Sequence, residues 1–137
     1  MKPGKPLAAG RLGNAVFVGL PGSPMAALAG AVGFVRSLLA RMAGTAAARR
    51  LRAYAGFDMR RKAGRAEFIA VRLAQRDACV WAERIGPGGS ERLTPLLTSD
   101  GLVFLPGGTG DVGKGDRLQV VPIMPYAIKP GPEGKDD

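Results

Sequence analysis

The chain has 137 residues, with 20 Lys+Arg against 11 Asp+Glu, one cysteine and no histidine. That length suits one domain or two small ones sharing a core, and 46% hydrophobic with 23% charged residues is a globular composition. Without histidine there is no Ser-His-Asp triad, Cys-His dyad or histidine metal site, and Cys79 alone makes neither an internal disulfide nor a paired-cysteine zinc site.

The charge is unevenly spread. Every acidic residue lies at or after Asp58, so residues 1–57 carry Lys2, Lys5, Arg11, Arg36, Arg41, Arg49, Arg50 and Arg52 with nothing to offset them. The rest is close to neutral. A cationic segment favours an anionic partner: a phosphorylated small molecule, a nucleic acid or an acidic protein surface.

Residues 1–14 are rich in proline and glycine and read as an extended loop. Their opening MKPGKPLAAG lacks the apolar run of a signal peptide. The longest uncharged stretch, Leu12 to Val35, is interrupted by Pro21, Gly22 and Pro24, which argues against a membrane-spanning helix. A soluble, cytoplasmic protein is therefore the expectation. Ala15 to Leu20 is a short apolar run of the kind found in a strand buried on both faces of a parallel sheet. Pro21-Gly22-Ser23-Pro24 follows as a tight turn, with Ser23 placed as a helix N-cap and Pro24 as the first helical residue. Met25, Leu28, Val32, Val35, Leu39 and Met42 then form one apolar helical stripe. Strand, turn and helix make a single α/β unit, too little for a sheet of its own.

Residues 45–50 read as a linker, after which the period changes. Strands are predicted over 51–60, 68–73, 79–85, 102–105 and 118–123, with a turn at Asp77-Ala78, a short irregular piece or helical turn over 93–97 and a Gly-rich hairpin loop over 106–115. Trp81 reads as core. Strands this short and this closely spaced indicate a small all-β barrel or sandwich. The fold class is thus an α/β fragment (1–48) followed by a small all-β domain (49–124) and a flexible tail (125–137).

The best candidate for chemistry is the Gly19–Pro24 turn. Ligands bind beyond the carboxyl ends of strands in α/β sheets, and a helix start offers unpaired N–H groups to a phosphate. Lys2 and Lys5 sit on a proline-stiffened loop and suit the same kind of anion. Arg60, Arg61, Lys62 and Arg65 form a basic cluster better explained as a solvated hairpin end than as an RNA site.

KPGKPLAAGRL at 2–12, VFVGLPGSPMAALAGAVGFVRSLLARMAG at 16–44, GRAEFIAVRL at 64–73 and LTSDGLVFLP at 97–106 carry a resemblance. From Lys2 to Ile123 the chain resembles the C-terminal portion of the molybdopterin molybdenumtransferases, the molybdenum-insertion enzymes of molybdenum-cofactor biosynthesis, a family that includes the C-terminal region of gephyrin. The resemblance implies the last strand and helix of a molybdopterin-binding-type α/β domain followed by a complete β-barrel domain. The family reaction inserts molybdate into adenylylated molybdopterin with help from magnesium.

Carried over, Lys2 and Lys5 would face the pterin phosphate or molybdate, and Pro21, Gly22 and Ser23 would line the same pocket. Where Ser23 stands the family usually has Asn. The family's acidic catalytic and metal-binding residues lie upstream, and residues 1–57 hold no carboxylate, the natural ligand for magnesium. The chain is therefore expected to be inactive alone, to bind neither magnesium nor molybdate tightly, and to act as a homodimer or with a missing α/β half. The alternatives are a non-enzymatic docking module of the same family and, ranked last, a basic nucleic-acid-binding protein.

Overall fold

The computed structural model describes residues 7–47, 49–85 and 97–123. Lys2, Lys5, the helical turn predicted over 93–97 except Leu97, and the 125–137 tail lie outside the described residues.

The first elements are not the buried parallel strand predicted. Strand β1 (Ala8–Leu12) and strand β2 (Ala15–Gly19) form an antiparallel two-stranded hairpin, with Leu12 opposite Ala15. The cause is the two-residue link Gly13-Asn14. Gly13 has φ +60, which glycine adopts without steric cost and which hairpin turns of this length require. Both strands are largely exposed, Phe17 at 53% and Leu12 at 79%.

A helix follows over Pro24–Met42. It is α-helical over Pro24–Gly30 and Arg36–Met42, with a π-helical stretch at Ala31–Val35 between them. By length and composition it could cross a membrane, because it starts at Pro24, runs 19 residues and carries only Arg36 and Arg41 as charges. Here it lies against the β domain. Ala29 and Val32 are buried with Ala70 and Leu102, and Met25 and Leu28 pack beside them. Only the first half of the predicted stripe is covered. Nineteen residues at about 1.5 Å each span roughly 28 Å, longer than a six-residue strand at about 3.3 Å per residue. Leu39 and Met42 therefore overhang, 58% and 61% exposed.

The remaining strands are β3 (Leu51–Ala55), β4 (Glu67–Arg76), β5 (Cys79–Arg84), β6 (Gly101–Leu105) and β7 (Arg117–Pro122). They close into a barrel in the order β3-β5-β4-β6-β7, with β7 returning to β3. All pairings are antiparallel except β3 with β5. The period-two pattern of β4 works as predicted: Ile69, Val71 and Leu73 point into the barrel, while Phe68 and Ala70 face the helix. Ala53, Ala55 and Ala82 supply small interior residues opposite Leu105, Leu118 and Val120, the mixture a narrow barrel needs to fill without voids. Strand β3 is shorter than predicted, since the chain leaves the barrel at Gly56 and returns only for a bridge between Met59 and Val112. Trp81 is half-buried rather than core. It shares the outward face of β5 and lies 5.6 Å from Tyr54, centroid to centroid.

Candidate functional site

The turn between β2 and the helix has the backbone its sequence calls for. Ser23 is extended (φ −72, ψ 131), and its carbonyl accepts the Ala27 N–H at 2.8 Å, the first bond of the helix. Pro24 occupies the first turn, where its fixed φ fits and its missing N–H costs nothing. The Ser23 hydroxyl does not make the side-chain cap bond, so Ser23 caps by backbone geometry alone. There is no acidic residue in the first turn. The helix start therefore keeps its N–H groups and positive dipole end unneutralised by a carboxylate.

Pro21 is half-buried and Gly22 exposed. A Cβ built on Gly22 meets nothing within 4 Å, so the space beside the turn is open. The helix comes close to the hairpin at Gly30, whose Cβ position lies 3.0 Å from Leu20 Cδ2 and 3.1 Å from Leu7 Cδ1. That close packing holds the turn against the helix. Of the predicted site, then, Pro21, Gly22 and Ser23 are brought together, and Lys2 and Lys5 lie outside the described residues.

The segment that carries the turn has no acid–base side chain. Residues 7–47 contain no Asp, Glu, His, Cys, Tyr or Lys, so no side chain there can move a proton near neutral pH. Among the described residues no three His, Cys, Asp or Glu cluster as metal ligands. The described residues around the turn do not fit magnesium, since they offer it no carboxylate oxygen. The surroundings are also apolar and exposed. Leu12, Val16, Phe17, Leu20 and Phe34 are large exposed apolar residues on the hairpin and the helix, and a lone two-stranded hairpin is marginal in water.

One group elsewhere differs from its sequence reading. Arg61 is not a free surface cation: its guanidinium donates to the carbonyls of Arg65 (2.7 Å), Leu105 (3.1 Å), Pro106 (3.0 Å) and Thr109 (2.7 Å). The Gly-rich 106–115 segment joins β6 to β7, as predicted. Arg61 pins it, and its Val112 is buried in the barrel core. The period pattern carries no signal for this arginine's role, because the four carbonyls come from two separate loops.

A hairpin and one helix laid on a closed five-stranded barrel define the class: a small β-barrel module carrying the edge of an α/β unit. The profile of the MoeA C-terminal region (domain IV) matches residues 52–123, just over half of the chain, and the chain belongs to that family. It is 29% identical over 127 residues to a molybdopterin molybdenumtransferase of Haemophilus influenzae, covering 90% of this chain and 31% of the relative. A crystal structure of a molybdopterin biosynthesis MoeA protein from Pyrococcus horikosii superposes with a TM-score of 0.73 at 26% identity, over 90% of this chain and 30% of that one. A molybdenum cofactor biosynthesis protein from Pyrococcus furiosus shares the fold, with a TM-score of 0.63 at 24% identity over 86% of this chain and 41% of that one. The chain thus spans about a third of the length of the curated relative it matches.

Proposed function

We propose that this chain serves molybdenum-cofactor biosynthesis as the ligand-binding edge and barrel of a molybdopterin molybdenumtransferase, and that it acts together with an α/β part that supplies the carboxylates. The observation behind this reading is the Pro21–Ser23 turn: an open helix start, suited to an anion, with no carboxylate in its first turn and, among the described residues, no cluster of metal ligands. Its N–H groups, with Lys2 and Lys5, would hold the phosphate of molybdopterin or its adenylyl form, or the molybdate. The sulfur ligands for molybdenum belong to the pterin substrate, so a chain with one cysteine suffices. Carboxylates for magnesium and for hydrolysis of the adenylate would come from the α/β part, in a homodimer or a two-chain complex. The cytoplasm is the proposed location.

The test is complementation of a bacterium unable to insert molybdenum. This chain alone should not restore molybdoenzyme activity. Co-expression with the missing α/β portion of the Haemophilus influenzae relative should restore it. Restoration by this chain alone overturns the reading. A second reading, a docking module without catalysis, is favoured by the exposed apolar hairpin; it requires a partner that binds with no pterin present.

A further inference from the structure

On one face of the barrel, β3, β5 and β7 carry a feature that the sequence spreads from Tyr54 to Arg117. Arg117 of β7 is the register partner of Tyr54 of β3, and Tyr54 is the parallel partner of Trp81 of β5. These three side chains form one row across adjacent strands, spaced about 5 Å apart. Ala53, Ala55 and Ala82 fill the interior, so strand alternation turns Tyr54 and Trp81 outward. Both rings are half-buried, tilted 40° to each other at 5.6 Å, and keep part of their surface in solvent.

Cations flank the pair. Arg52, next along the same face of β3, is exposed and opposite Gln119. Arg50 donates to Gln119 Oε1 at 3.2 Å. On the other side Arg76 pairs with Glu83, the one acidic side chain paired on this face. Among the described residues, Arg50, Arg52 and Arg117 have no ion-pair partner.

We propose that this face binds single-stranded nucleic acid, with bases on Tyr54 and Trp81 and phosphates at Arg52 and Arg117. Flat ring surfaces beside a line of unpaired cations are complementary to a chain that alternates flat bases with negative phosphates. A duplex keeps its base faces stacked inside and cannot use the rings. An acidic peptide would satisfy the arginines and leave the rings without a specific contact. The inference is independent of the proposed enzymatic role, since neither ring nor either arginine belongs to the Pro21–Ser23 turn.

Trp81 is the sole tryptophan, so its fluorescence reports stacking directly. The full chain is titrated with a twelve-nucleotide oligo-dT, with heparin and with polyglutamate, at low salt and then at rising salt. Oligo-dT should quench Trp81, and its affinity should fall with a log–log salt slope of about −1.5 to −2, as expected for two or three phosphate contacts on a single strand. Tyr54→Leu should weaken oligo-dT about tenfold and leave heparin binding unchanged. The pair Arg52→Ala and Arg117→Ala should flatten the salt slope, whereas Arg41→Ala, on the helix, should change nothing. The proposal is overturned by no association at low salt, by duplex binding as tight as single-strand binding, or by heparin and polyglutamate matching oligo-dT with Trp81 emission unmoved.

Discussion

The guanidinium of Arg36, in the C-terminal half of the helix, donates to the backbone carbonyl of Pro122 at 2.6 Å and to that of Ile123 at 3.2 Å. This joins the helix to the end of β7, beside the apolar cluster that holds Val32, Leu102 and Val121. Hydrogen bonds from a charged donor contribute about 1.5–3 kcal/mol when partly buried. Arg36→Ala should lower stability by about that amount and speed hydrogen exchange in the helix more than in the barrel. Arg36→Lys, with a compact and strongly hydrated ammonium in place of the guanidinium, should recover only part. Equal melting temperatures for Arg36→Ala and the parent would contradict the clamp.

Arg61 makes the same kind of connection inside the barrel domain, to four carbonyls at once. Its backbone N–H also donates to Asp111 Oδ1 at 2.7 Å. Lysine has three donors on one atom and cannot span carbonyls fanned around a guanidinium. Arg61→Lys should therefore cost nearly as much as Arg61→Ala, about 2 kcal/mol or more. Denaturant midpoints of the two variants decide it.

The tight turn between β4 and β5 uses Asp77 at φ 49 and Ala78 at φ 63. Alanine is poorly suited to left-handed backbone, at a cost of about 1–2 kcal/mol. Ala78→Gly should thus raise stability by about 1 kcal/mol, seen as a higher melting temperature with the fold unchanged. A fall would mean that the extra freedom glycine gives the unfolded chain outweighs the relief of strain.

The strands of the barrel were legible because each obeys a simple rule: Ile69, Val71 and Leu73 alternate, and Asp77-Ala78 breaks the run. The Ser23-Pro24 helix start was legible for the same reason, since cap and proline act within a few residues of each other. The β1–β2 hairpin was misread because an apolar run such as Ala15–Gly19 has no period that separates a buried parallel strand from a hairpin arm. The signal available was Gly13-Asn14, a two-residue hairpin link. The other misreadings depend on long-range placement. Trp81 lies outside the core because β5 keeps Ala82 inside, and Arg61 is structural because two distant loops converge on it. The parallel β3–β5 pairing, which brings Tyr54 beside Trp81, is a property of barrel closure and is absent from any local pattern.

The turn itself offers a test that separates binding from folding. Gly22 is exposed, a Cβ there meets nothing within 4 Å, and its φ is not in the left-handed region. Gly22→Asp should therefore leave stability within about 0.5 kcal/mol of the parent. A carboxylate two residues before the helix start could even gain slightly from the dipole. The same charge, however, would stand where the proposed phosphate or molybdate must approach, and like charges in one small site repel strongly. Co-expressed with the α/β part, Gly22→Asp should fail to restore molybdoenzyme activity while its melting curve stays in place. Gly22→Ala, neutral and nearly as small, should restore it. Full activity from Gly22→Asp would remove the turn from the site, whatever the barrel does.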